Sequence, residues 1–318
     1  MTVANKKYNL GMIGCGDIWN KGHWPQALAH LEDVIRVKYT YDADEERSRA
    51  AAEISGADAA PDVDKLFDDP EVDIVAIATP PFARLEFVKK ACAAGKHVML
   101  EKPMARSLDD AVAIHREVTE SGVQCSIPFA RTITGPLLEL QALIGSGHFG
   151  APKGFVHSNL GGPYGWIPLD HWMHDMEKSG GPIFDYSIHF IELARALMGA
   201  EAGTVFYSGK NTTGRVRSDD FATLLLEYEN GAMGEFTKLW SFPPENPCSH
   251  QTTHVVLEDA VCEILLPSVK IYRHNRVIEI NVKPNELPGR AKSYLNLIDA
   301  IENGAPLLAS ATDGLRIA

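Results

Sequence analysis

No apolar run in this 318-residue chain approaches the ~18–20 residues that a helix needs to cross a bilayer. Cysteine is scarce as well. The five present (Cys15, Cys92, Cys125, Cys248, Cys262) are odd in number, scattered and never spaced C-x-x-C. That pattern argues for free thiols in a reducing compartment and against a disulfide scaffold or a structural zinc. Positive charge is in deficit: 30 Lys and Arg stand against 42 Asp and Glu, a formal charge of −12. Such a balance repels nucleic acid and anionic membranes, so neither is an expected partner. Low-complexity tracts and internal repeats are also missing. The opening residues, "MTVANKKYNLGMIGCGDI", run from a polar tail into a strand with no signal-peptide core and no twin-arginine leader, so the expected location is the cytoplasm.

What is present is the composition of a globular protein, 45% apolar and 23% charged, in a chain long enough for two cores. Over the first 127 residues short apolar runs alternate with amphipathic stretches. "YNLGMI", "VIRVKYTY", "DIVAIA" and "HVML" are each followed by a helical pattern, near 18–30, 44–54, 81–94 and 107–120, and "VQCSI" closes the series. Strands buried on both faces, each leading into a helix, predict a doubly wound parallel α/β sheet over residues 1–127.

Beyond that point the rhythm changes. A helix is expected near 135–145, then the strand "GFVHSNL", a Gly- and Trp-rich loop over 161–181, and a second helix. Strand-like segments then follow one another ("TVFYSG", "FATLLLEYENGAMGEFTKLW", "THVVLEDAVCEILL", "SVKIYRHNRVIEI"), with "ENG" as a hairpin turn. Residues 128–318 are therefore expected to form one α+β domain with an open, largely antiparallel sheet, ending in a helix over about 291–303, with "SATDGLRIA" beginning another.

"LGMIGCGDIW" sets Gly14-Cys15-Gly16 between the first strand and the first helix. The first glycine permits the tight turn and the second lets backbone approach a pyrophosphate lying over the positive end of the helix. Gly14, Gly16, Asp17 and Ile18 are accordingly candidate cofactor contacts. Asp42 ends the second predicted strand, 26 residues after Gly16, where a carboxylate would accept from a ribose diol and repel a 2′-phosphate, favouring NAD while leaving NADP possible. Capping of the next helix is the alternative role, though Asp44 could fill it. Thr79-Pro80 follows a strand, and "GKHVMLEKP" brings Glu101-Lys102 to the end of the next, so all four are expected at the carboxyl edge of the sheet. A lysine there can polarise a hydroxyl or steady a developing alkoxide; a solvated charge is its ordinary alternative.

The G-x-G turn, the Asp after the second strand, "TPP…AGKHVMLEKP" and "GGPIFDYSIHFIE…LMG" come in an order and spacing that resembles the Gfo/Idh/MocA family, the glucose–fructose oxidoreductase and inositol dehydrogenase group. The resemblance covers nearly all the chain. It implies an N-terminal Rossmann domain holding NAD or NADP. It also implies a C-terminal domain that binds substrate and mediates oligomerisation, as a homodimer or homotetramer through its sheet. Four positions depart from the family pattern. Trp19 replaces a small residue in the phosphate turn, Arg84 stands where His is common, and Pro182 and Ser187 replace glycines.

Asp185 and His189 lie four residues apart in the second block, about one helical turn. A secondary-alcohol dehydrogenation needs a base, and an imidazole with an ordinary pKa of ~6.5 suits that task. Asp185 would orient it, and Lys102 would contact the reacting oxygen; the family resemblance implies these same three catalytic positions. A surface or core role for the histidine, and a helix-dipole role for Asp185, are the alternatives. "HWMHD" offers His171, His174 and Asp175 as metal ligands, but it lacks a companion motif, and no metal is expected. The loop "YGWIPLDHWMHD" is better suited to wall a polyol pocket, with Tyr164, Trp166, Trp172 and His174 joining Asp185 and Tyr186 as substrate contacts. Tyr186 is a further candidate acid, and Arg131 could reach cofactor or substrate. The expected function is NAD(P)-dependent hydride transfer to or from a sugar, sugar acid, inositol or related polyol. Two alternatives remain: a glycosidase using NAD for transient oxidation and elimination, and a non-catalytic NAD-binding sensor.

Overall fold

The structure is a computed structural model that describes residues 6–161, 168–240, 250–283 and 286–318. The chain divides into two compact units, residues 1–130 with 287–316, and residues 131–286. The first boundary falls three residues from the expected one. The second is a correction. The helix Gly289–Asn303, expected in the C-terminal domain, returns to the N-terminal unit, where Ala291, Tyr294, Leu297 and Ile298 join its core. Its apolar residues recur at helical spacing, but no local pattern says which core they complete.

In the N-terminal unit six strands form one parallel sheet: β1 (Tyr8–Ile13), β2 (Ile35–Tyr41), β3 (Asp58–Ala59), β4 (Ile74–Ile77), β5 (His97–Leu100) and β6 (Cys125–Ser126). Their spatial order is β3-β2-β1-β4-β5-β6, the doubly wound arrangement. β4 is buried at every position, as a central strand covered by helices must be. The strand order reverses between β1 and β4, so the turn after β1 opens at the switch point where such sheets bind ligands. The helix after β1 is not regular. It makes a wide π turn over Trp19–His23, two residues before Pro25, whose ring has no N–H to donate and crowds the preceding turn.

The second unit holds one eight-stranded sheet built from β7 (Pro152–Leu160), β8 (Ala202–Lys210), β9 (Phe221–Tyr228), β10 (Met233–Leu239), β11 (His250–Leu257), β12 (Val261–Leu265), β13 (Ser268–Arg273) and β14 (Arg276–Ile280). The order is β14-β13-β12-β11-β7-β10-β9-β8, with β7 and β10 the one parallel pair. The expected ENG hairpin joins β9 to β10. Helices Gly135–Gly145 and Ile188–Met198 pack on one face through Leu137, Leu140, Phe190, Leu193 and Leu197.

That covered face changes character along the strands. Leu226, Gly234, Phe155 and Val255 lie abreast on β9, β10, β7 and β11, an apolar row. Two residues along, Leu224, Phe236, His157 and Thr253 make a mixed row, and two further on stand Ala222, Lys238, Asn159 and Gln251. With side chains alternating at a period of two, one face passes from hydrocarbon to a polar end within five residues.

Two measurements follow from this packing. Tyr294 is fully buried and its hydroxyl lies 2.8 Å from His23 Nδ1, so Tyr294→Ala is expected to cost about 3–5 kcal/mol in chemical denaturation. His157 is stacked on Phe190 at 3.7 Å, and burial, with the nearby Lys238 charge, pushes its pKa down to about 3. Above the ordinary histidine pKa of ~6.5 it is neutral in both states. Below that value only the unfolded chain takes up the proton, so its contribution is lost as pH falls from ~6.5 toward the folded value, at ~1.4 kcal/mol per pH unit. His157→Gln is expected to reduce the slope of unfolding free energy against pH by about one proton over that window.

Candidate active site

Gly14 has φ +93°, and a Cβ there would meet the Ala78 carbonyl carbon at 2.9 Å and the Thr79 nitrogen at 3.0 Å. Only glycine lets the turn after β1 lie this close to the end of β4. A Cβ on Gly16 would meet nothing nearer than Arg47 Nη1 at 3.7 Å, so the approach to that turn is open. Asp17 and Ile18 begin the helix behind it. Asp42, one residue beyond β2, accepts from the Cys15 N–H at 2.7 Å through Oδ2 and from the Asp44 N–H at 2.9 Å through Oδ1. The capping role belongs to Asp44, which accepts from Glu46 N and Arg47 N at the start of helix Glu45–Ser55. Asp42 thus ties the glycine turn to β2 and stays partly exposed, with lone pairs to spare for a diol. An open glycine turn at the switch point, beside a carboxylate at the end of β2, fits a dinucleotide.

Trp19 is 1% exposed, its ring 5.6 Å from that of Trp24, so the large residue in the phosphate turn fills core. Arg84, the other departure in this unit, is also buried. Its Nε donates to the Thr79 carbonyl at 2.8 Å, and its Nη1 donates to the carbonyls of Glu101 and Pro103. One guanidinium therefore holds the Thr79-Pro80 and Glu101-Lys102-Pro103 segments together at the carboxyl edge. Glu101, expected among the cofactor contacts, turns its carboxylate inward. It is 2% exposed, pairs with Arg290 of the returning helix, and lies 3.2 Å from His23 Nε2. A buried carboxylate needs such partners, so this side chain serves the fold, and Lys102, half-buried next to it, is left as the candidate group of the motif. Burial, with Arg290 and Arg84 beyond it, holds the His23 pKa well below the histidine range, so the imidazole is neutral.

In the C-terminal unit several candidate residues lie at the polar end of the sheet. Gly180 and Gly181 have φ of +77° and +85°, and a Cβ on Gly180 would lie 2.7 Å from Phe184 Cδ1. This tight entry leads through Pro182 into a π turn over Ile183–Ser187, which carries Asp185 and Tyr186 and passes into the helix bearing His189. Wide turns of this kind often sit at functional sites because they re-aim side chains. Asp185 and His189 are both buried, at 8% and 4% exposure. The Tyr186 hydroxyl donates to Gln251 Oε1 at 2.9 Å, and the Arg131 guanidinium lies 5.2 Å over its ring. Burial raises the tyrosine pKa, against the pull of Arg131.

Lys238 was not among the expected residues. It is 2% exposed; its Nζ donates to Asn159 Oδ1 and, at 2.9 Å, to the Gly161 carbonyl, and it lies 4.3 Å over the Tyr186 ring. Burial pushes this amine down to about 7, the Asp185 carboxylate opposing the shift and Arg131 adding to it. A signal was available in the sequence: in "GEFTKLW", strand alternation puts Lys238 on the same face as Phe236 and Trp240.

His174 is buried with its ring 6.3 Å from Trp240, and Trp172 is half-buried beside His171 at 5.4 Å. Tyr164 and Trp166 lie outside the described residues. Asp175 caps helix Met176–Ser179 and pairs with Arg217 at 3.1 Å, so its oxygens are engaged. Among the described residues no three His, Cys, Asp or Glu side chains gather as a metal set.

Residues 8–129 match a family model described as an oxidoreductase family with an NAD-binding Rossmann fold, and residues 137–263 match the GFO/IDH/MocA C-terminal domain. Among named relatives, scyllo-inositol 2-dehydrogenase (NAD(+)) of Bacillus subtilis is 30% identical over 54% of this chain and 49% of its own. Inositol 2-dehydrogenase 2 of Saccharopolyspora erythraea is 32% identical over 71% of this chain and 64% of its own. The chain thus spans about half to two thirds of the length of the relatives it matches. Of solved structures, levoglucosan dehydrogenase in complex with NADH and L-sorbose superposes with a TM-score of 0.86 at 21% identity, over 98% of this chain and 94% of its own, a likeness of fold. One model on each domain, with the glycine turn and the Glu-Lys-Pro edge in place, means that the chain belongs to the Gfo/Idh/MocA family of oxidoreductases, with an NAD-binding Rossmann fold.

Proposed function

We propose that the protein is an NAD-dependent dehydrogenase that oxidises a secondary alcohol of a sugar, sugar acid, inositol or related polyol, or reduces the matching ketone. The observation that carries this reading is the burial of Asp185, on the π turn over Ile183–Ser187, and of His189, on the helix that follows it, in a chain whose other unit carries Lys102 two residues beyond the parallel strand β5. NAD supplies the hydride acceptor when bound. Gly14 and Gly16 would hold its pyrophosphate, with Asp17, Ile18, Thr79 and Pro80 around it and Asp42 on the adenosine ribose. In the C-terminal unit His189 takes the hydroxyl proton, Asp185 orients the imidazole, and Tyr186 is a second candidate acid. Lys102 donates to the reacting oxygen and steadies its developing charge. His174 and Trp172 contribute a polar edge and a flat apolar face to the substrate site. The names of the relatives support this class: they are inositol and levoglucosan dehydrogenases, which favours neither the glycosidase nor the sensor. NADP, whose 2′-phosphate would face the Asp42 carboxylate, would bind more weakly.

NADH formation from a panel of sugars, sugar acids and inositols is the direct test. His189→Ala is expected to lower kcat by about 10²–10⁴-fold and leave NADH binding nearly unchanged; activity above about a tenth of wild type would overturn the base assignment. In the same assay NADPH binding tighter than NADH would overturn the role given to Asp42.

We also propose that copies of the chain assemble through the uncovered face of the second sheet, in the cytoplasm, as a dimer or tetramer. Val156, Phe221, Leu225, Met233, Val261 and Tyr272 lie on that face at 36–50% exposure, an apolar surface broader than isolated exposed residues make. Light scattering is expected to return at least twice the mass of one chain at micromolar concentration. A monomer would refute the assembly.

A further inference from the structure

Lys238 occupies a place where an ammonium is costly. It stands in the third row of the covered sheet face, between Ala222 and Asn159 on the neighbouring strands and two residues from the core residue Phe236. Charged side chains persist in such places when they are paired or when something else requires them. Among the described residues no carboxylate forms an ion pair with Lys238. Its contacts are the Asn159 amide oxygen, the Gly161 carbonyl, and the rings of Tyr186 and Trp240 at 4.3 and 5.7 Å. An ammonium has three N–H donors. Among the described residues two are used, and the third is left for an acceptor.

Its surroundings specify what that acceptor should be. Arg131 lies over the same tyrosine ring at 5.2 Å and, among the described residues, has no carboxylate partner either. Among the described residues the acid close enough to act on Lys238 is Asp185. Other acids of this unit are already engaged: Asp220 by the amides and hydroxyls of Thr212 and Thr213, Asp175 by Arg217, and Glu192 by Arg195. Among the described residues two cations thus share one aromatic ring with a single neighbouring carboxylate, beside the residues proposed for proton transfer. Positive charge is in excess there, in a chain whose overall charge is −12.

We propose that Lys238, with Arg131 beside it, binds a carboxylate of the substrate, so that the enzyme selects sugar acids over the corresponding neutral sugars and polyols. This rests on the dehydrogenase reading above and narrows it. A bound carboxylate would accept the third N–H of Lys238, hold the amine protonated, and balance the two cations with Asp185. Asn159 and Gln251, joined to each other at 3.1 Å and to the Tyr186 hydroxyl, keep the ammonium and the ring in register.

The test uses the NAD-loaded protein and matched pairs: D-gluconate with D-glucitol, D-glucuronate with D-glucose, and D-galacturonate with D-galactose. NADH production gives kcat/KM for each, and calorimetry on the NADH-loaded protein gives affinity independently of turnover. The wild type is expected to favour the acid of at least one pair. In Lys238→Met the acid-to-neutral ratio should fall by about 10–100-fold in both kcat/KM and affinity, the range of one charge-assisted hydrogen bond. Lys238→Gln, which keeps a donor for Asn159, carries the same expectation should the methionine variant fail to fold. A wild type that prefers the neutral member of every pair it accepts, or a ratio unchanged in the variants, overturns this inference and leaves the dehydrogenase reading standing. No turnover and no binding across all pairs and the inositols overturns both.

Discussion

The carboxylate of Glu101 organises the N-terminal unit. It leaves the end of β5 and points into the core, where Arg290 of the returning helix pairs with it and His23 of the irregular first helix stands at 3.2 Å. Tyr294, one turn beyond Arg290, approaches the other nitrogen of His23. Three segments far apart in sequence are thereby joined at one buried charge. Lone buried charges are destabilising, so each partner requires the others and the set behaves as a unit. Lys102 inherits its position from this arrangement, because its backbone continues from the residue that the knot holds. Arg84 adds a second constraint by binding the carbonyls on either side of Lys102.

The C-terminal unit solves a different problem. A sheet face that packs on helices should be apolar, yet the site proposed here needs polar groups held rigidly. The strands meet both needs by changing composition along their length, from Phe155, Gly234 and Val255 at one end to Asn159, Lys238 and Gln251 at the other. The apolar rows anchor helix Ile188–Met198 through Phe190 and Leu193, and the π turn before it lies over the polar row. Both units carry a π turn beside their candidate residues, each within two residues of a proline. In each case the wide turn breaks the helical repeat where side chains must be re-aimed.

Much of this was legible in the residues. Alternation of apolar runs and amphipathic stretches marked both sheets, and Gly14 and the Gly180-Gly181 pair announced turns that the measured φ values require. Asp44 was a recognisable cap, which freed Asp42 for another role. Other assignments could not be read locally. Glu101 looked like an edge residue because its partners lie 78 and 189 residues away in the chain. Trp19 stood out only as a departure in the phosphate turn because a sequence does not say which side of a helix faces the core there, least of all through a π turn. The helix Gly289–Asn303 was assigned to the wrong domain for the same kind of reason: its apolar stripe needs a core, and either core would serve.

Periodicity and turn chemistry are local, so the two sheets, the glycine turn, the acid after β2 and the placing of Lys102, Asp185 and His189 at element ends can be read from the residues alone. Tertiary structure decided what each charged group faces. It sent Glu101 inward and used Arg84 as a clasp. It also set Lys238 among Tyr186, Trp240 and Asn159, because burial and pairing are settled by residues that meet only when the chain has folded.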